Sequence, residues 1–159
     1  YALWGRFEAG VRVLMFSDSC HSGSVAREFV RGHMTAGRVP ENLPRPRAMP
    51  VDTADDTYRA NKALYDQIRA ENPLGERVAI GASIVLISGC QDDQVSLDGD
   101  ENGLFTGTLL SVWDDGSFDG GLRDFHREIE SDIVRVQRPN YMVIGAPNDA
   151  FEAQKPFTI

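Results

Sequence analysis

Histidine and cysteine are scarce in this sequence, at three and two among 159 residues. Two thiols in a chain of this length do not make a disulfide framework, and a reducing, cytoplasmic setting is the simpler expectation. No apolar run approaches the ~20 residues that span a bilayer. No basic segment followed by an apolar core marks a signal peptide. Basic residues are outnumbered 24 to 16, leaving a net charge of −8. Such a surface repels phosphate backbones, so neither nucleic acid nor membrane is an expected partner, whereas a basic peptide is compatible. Internal repeats and low-complexity tracts are absent too. What remains is an ordinary globular composition, 42% apolar and 25% charged, of a size for one domain with one core.

Val11-Arg12-Val13-Leu14-Met15-Phe16 is a nearly continuous apolar run that ends in Ser17-Asp18. It suits a strand buried on both faces of a parallel sheet. Ser83 to Gly89 has the same character, and Tyr141 to Gly145, between Pro139 and Pro147, is a third candidate. Helices are expected after Cys20 to about Phe29, over Asp56–Glu71, over Leu104–Trp113 after the Asn102-Gly103 turn, and over Leu122–Gln137. The last carries Leu122, Phe125, Ile129, Ile133 and Val136 on one stripe. Strands alternating with helices predict an α/β fold, a mostly parallel sheet with helices on both faces. Tyr1, Leu3, Trp4 and Phe7 have helical spacing, so the chain is expected to begin inside an element of a longer protein. Residues 31–55 hold Pro40, Pro44, Pro46 and Pro50 with little periodicity, and read as a mobile connection between two halves.

The chemistry is expected at Cys20. It follows the first strand directly, at the carboxyl end where open α/β sheets bind ligands. His21, Ser22, Gly23 and Ser24 are small or polar and allow a peptide backbone to approach. A helix starting just after Cys20 would favour the thiolate through its dipole, and a thiolate is the nucleophile that acyl transfer needs.

Asp18-Ser19-Cys20-His21-Ser22-Gly23 resembles the D-x-C-H-S-G nucleophile motif of caspase-like peptidases, in the metacaspase and bacterial orthocaspase branch. Ser88-Gly89-Cys90-Gln91-Asp92-Asp93-Gln94-Val95-Ser96 is similar to the start of that family's small-subunit half, S-G-C-x-D-[DE]-Q-x-S. Asn102-Gly103-Leu104-Phe105-Thr106 resembles its N-G-x-[FL]-T helix entry. The resemblance implies a caspase-like three-layer sandwich whose N-terminal strands lie upstream. Residues 1–30 would close the large-subunit half, 31–55 would connect, and 56–159 would form the small-subunit half. It implies a cysteine endopeptidase with Cys20 as nucleophile and its backbone N–H as half of an oxyanion hole. Asp18 would line the pocket for the residue before the scissile bond, selecting Arg or Lys in a peptide or protein substrate.

A Cys–His dyad also needs a base within hydrogen-bond reach. His21 diverges from its neighbour Cys20, and His33 and His126 are expected to be solvated. In caspase-like enzymes the base is a His-Gly on the order of 50 residues upstream of the cysteine. Here that falls before Tyr1, so these residues alone are expected to be inactive. Many metacaspases bind calcium, in part through an aspartate seven residues after the nucleophile. That position is Arg27, and no cofactor is expected. Asp98 to Gly103 matches the first half of an EF-hand loop, but the twelfth position is Leu109 instead of glutamate. Arg31, Arg38, Arg45 and Arg47 in the connection would suit self-cleavage by an Arg-directed enzyme. Two other readings compete: a caspase-like scaffold that signals by binding, and a redox-sensing thiol pair, Cys20 and Cys90.

Overall fold

The computed structural model describes residues 2–18, 49, 51–90, 102–133 and 137–158. The three apolar runs form a three-stranded sheet in the order β1 (Arg12–Ser17), β2 (Ser83–Ser88), β3 (Asn140–Gly145). β1 runs parallel to β2, with Leu14 beside Val85 and Phe16 beside Ile87. β3 is antiparallel to β2, with Tyr141 opposite Ile87. The α/β class holds, and the described sheet is mixed, with one pairing of each kind. β2 is the central strand, and its β-branched residues are buried on both faces: Ile84, Val85 and Ile87 are at most 1% exposed. β1 falls short of the burial expected for it. Its only described neighbour is β2, and Met15 is 42% exposed.

Alternation along the strands sorts their side chains into two cores. On one face Leu14, Phe16, Val85 and Ile87 meet helices α3 (Leu104–Trp113), α4 (Leu122–Asp132) and α5 (Asp149–Glu152). Phe125 on α4 is fully buried at the centre of this layer, edge-on to Phe16, Trp113 and Phe118. On the other face Ala82, Ile84 and Ile144 are covered by Trp4, Phe7 and Ile80. The helical spacing expected at the start of the chain gives only a single 3-10 turn, Trp4–Arg6, before Phe7 turns extended.

Three other boundaries differ from expectation. α1 (Val51–Ala60) and α2 (Lys62–Glu71) replace one helix from Asp56, so the last five residues of the expected connection, 51–55, are helical. Pro50 can precede a helix without loss, and Asp52 in the first turn suits the helix dipole. Asn61, at φ −109° and ψ 12°, breaks the run in the middle. α4 stops at Asp132, short of Gln137, and Ile133 is already extended. Glu128, Glu130 and Asp132 crowd its last turns with no basic residue to offset the C-terminal dipole. The helix expected after Cys20, the rest of the connection, and the acidic turn at 98–101 lie outside the described residues. Among the described residues no helix is long and apolar enough to cross a membrane.

Two glycines illustrate how locally the backbone is constrained. Gly145 closes β3 at φ +83°, and a Cβ there would lie 2.1 Å from the Ala82 carbonyl oxygen. Gly107 sits within α3, where a Cβ would meet nothing within 4 Å. Gly145→Ala is therefore expected to cost at least ~1–3 kcal/mol. Gly107→Ala should stabilise by roughly 0.5–1 kcal/mol, by removing backbone freedom from the unfolded chain. Urea unfolding of both variants checks the pair, and equal effects would contradict the local geometry.

Candidate active site

β1 and β2 end level with each other. Ser17 pairs with Ser88, and the Gly89 N–H donates to the Ser17 carbonyl at 2.8 Å, carrying the parallel ladder one residue further. Asp18 and the Gly89-Cys90 pair therefore leave the sheet side by side at its carboxyl edge, where parallel sheets place ligands. Asp18, which opens one sequence motif, and Ser88-Gly89-Cys90, which opens another some 70 residues later, become neighbours in this way.

The third motif is drawn to the same point. Thr106, in the first turn of α3, donates its hydroxyl to Asp18 Oδ2 at 2.6 Å, across 88 residues of sequence. Asp18 is half-buried. Gly103, which caps α3, has no side chain to satisfy the helix start, so an anion beside the first turn is favourable there.

Close packing explains why Gly89 is a glycine. A Cβ on it would stand 2.8 Å from Phe105 Cβ and 3.0 Å from Gln137 Nε2. Gln137 is itself 1% exposed and donates to the Gly89 carbonyl at 2.6 Å. Phe105 and Gln137 thus hold the end of β2 from two sides. Cys90 is a buried thiol, and its carbonyl accepts from Ser88 Oγ at 3.2 Å. At 7% exposed it is withheld from the solvent contact that a redox sensor needs. The sequence pattern contained Thr106 and Phe105 but gave no sign of their roles. Gln137 differs from the helix expected through it, because it leaves α4 to bond the end of β2.

Cys20 belongs to residues 19–48 and lies outside the described residues, as do His21 and His33. His126 is described and is not solvated as expected. Its ring is half-buried on α4, with Nε2 donating to the Pro139 carbonyl at 3.1 Å and the ring tilted against Tyr141. Pro139 leads into β3, two strands from β1, or roughly 10 Å across the sheet at strand spacing. His126 is instead part of a structural group. Tyr141 donates to Glu152 Oε2 at 2.8 Å, and Arg123 Nη2 bridges the same oxygen at 2.6 Å while lying over the Tyr141 ring. Among the described residues no cluster of three or more His, Cys, Asp or Glu side chains is arranged for a metal ion.

With this geometry in place, a caspase domain model matches residues 5–151. The chain belongs to the caspase-domain family of cysteine peptidases. A crystal structure of protein GSU0716 from Geobacter sulfurreducens is similar over 99% of this chain, at 47% identity and a TM-score of 0.82. The match covers 56% of that chain, so the present sequence spans little more than half of that relative's length. No curated protein matches.

Burial, with the hydrogen bond to Glu152 second, pushes the Tyr141 phenol well above the usual tyrosine range. A raised folded-state pKa stabilises the neutral phenol. Its contribution is complete below the unfolded value of about 10 and is lost as pH rises through the folded value. Wild type should therefore lose stability above about pH 10 more steeply than Tyr141→Phe. Denaturant midpoints measured between neutral and strongly alkaline pH check this, and parallel curves would contradict it.

Proposed function

We propose that the chain carries the nucleophile and the substrate-selecting carboxylate of an endopeptidase that cleaves after Arg or Lys. The observation that supports this best is the convergence of three motifs at one sheet edge: Asp18 ending β1, Ser88-Gly89-Cys90 ending β2, and Thr106 reaching back to Asp18. The motifs are those of the metacaspase and orthocaspase branch, to which we assign the protein. Within that scheme residues 1–30 close the large-subunit half and 56–159 form the small-subunit half. The connection between them shortens to about 31–50, because α1 begins at Val51.

In the mechanism, the Cys20 thiolate attacks the peptide carbonyl carbon. Its backbone N–H receives the developing oxyanion. A histidine outside these 159 residues gives a proton to the leaving amine, forming an acyl-enzyme. That histidine then deprotonates the water that releases the acid and restores the thiol. Asp18 holds the substrate guanidinium or ammonium by a charge-assisted hydrogen bond. No calcium step is included, because the position of the family's calcium-binding aspartate is Arg27. The setting is cytoplasmic, and the partners are basic peptide segments, with neither nucleic acid nor membrane involved.

A caspase-like scaffold is the second reading. The presence of both Cys20 and Asp18 counts against it, since binding alone requires neither. In the full-length protein, Cys20→Ala is expected to abolish cleavage of Arg- and Lys-peptides. Asp18→Asn should reduce kcat/KM for them on the order of 10²-fold, by removing the charge from the pocket. The 159-residue chain alone should show no turnover. Undiminished cleavage by Cys20→Ala, or robust cleavage by the isolated chain, would overturn these assignments.

A further inference from the structure

We infer that Thr106 is a positioning residue for Asp18 and sets how strongly the pocket prefers Arg to Lys. This rests on the reading of Asp18 as the pocket carboxylate. A carboxylate on the first residue after a strand can rotate about its side-chain bonds, and each rotation turns its two oxygens in space. The Thr106 hydroxyl, anchored in the first turn of a ten-residue helix, donates to Oδ2 at 2.6 Å. That bond uses one of about four lone-pair positions of the carboxylate and restrains the rotation that turns the others.

Thr106 is itself held firmly. Its neighbour Phe105 is 1% exposed and packs against Gly89, so α3 cannot shift without disturbing the end of β2. The orientation of Asp18 is thereby referred to the same rigid ladder that positions the rest of the site.

The two basic side chains respond differently to such fixing. A guanidinium is planar and docks on a carboxylate through two parallel N–H···O bonds, so it needs a set carboxylate plane. An ammonium is a compact charge with rotating donors and tolerates a turning partner. Losing the Thr106 hydroxyl therefore weakens Arg binding more than Lys binding. The acyl-transfer step at Cys20 is left largely alone.

The test uses the full-length protein and matched peptide amides with Arg, Lys or Leu before the scissile bond. Thr106→Val and Thr106→Ala are each expected to raise KM for the Arg peptide roughly tenfold, with kcat within about twofold. KM for the Lys peptide should rise by no more than about threefold, and Thr106→Ser should restore the Arg preference. In an Asp18→Ala background, Thr106→Val should have no further effect on the Arg-to-Lys ratio. Equal losses for all three peptides, carried in kcat and accompanied by a lower Tm, would overturn the proposal and leave Thr106 a structural tie. If Asp18→Ala left the discrimination of Arg and Lys from Leu unchanged, the pocket reading itself would fail. That result is separate from any effect of Thr106.

Discussion

Ser17 and Ser88 lie side by side in the parallel ladder of β1 and β2, and the Gly89 N–H extends that ladder to the Ser17 carbonyl. Everything at the site is referred to this pairing. Parallel strands are not joined by a tight turn, so the segments that follow them are free to diverge. Here they are held together instead. Phe105 and Gln137 pack on Gly89 from the β2 side, and Thr106 hydrogen-bonds Asp18 on the β1 side. α3 touches both strand ends, through adjacent residues. Its own position is secured by the aromatic layer around Phe125, beneath the sheet.

This arrangement separates support from chemistry. The described residues are mostly support: a buried central strand, three helices over one face, and a polar group at Tyr141, Glu152, Arg123 and His126 that ties β3 to α4 and α5. Cys20, the nucleophile of the proposed mechanism, follows Asp18 by two residues in the sequence. Functional groups of α/β folds commonly lie just beyond the end of a rigid strand, because the scaffold fixes their position.

Much of this was legible in the sequence. The apolar runs around Val13, Val85 and Val143 marked all three strands to within a residue, and the Asn102-Gly103 turn placed the start of α3. The motifs at Asp18 and Ser88 indicated the family, which the caspase domain match over residues 5–151 establishes. What periodicity could not supply were interactions set by tertiary contact. The Thr106–Asp18 bond spans 88 residues and has no local signature. Val136 continues the apolar stripe of α4 and predicts helix through Gln137, whereas α4 stops at Asp132 and Gln137 bonds the Gly89 carbonyl. His126 looked solvated by its polar neighbours, yet the Pro139 carbonyl meets it from another element. Proline content made 51–55 resemble a loop, although the prolines stop at Pro50 and an acidic first turn follows.

In the proposed mechanism Cys20 is the nucleophile, and Cys90 is a buried thiol that takes no part. An arginyl chloromethyl ketone, which alkylates an activated thiolate bound beside a basic-side-chain pocket, tests it directly in the full-length protein. Peptide mapping by mass spectrometry should find a single adduct on Cys20 and none on Cys90, with labelling suppressed by Asp18→Asn. An adduct on Cys90, or none on Cys20 under conditions where the protein cleaves Arg-peptides, would contradict the account.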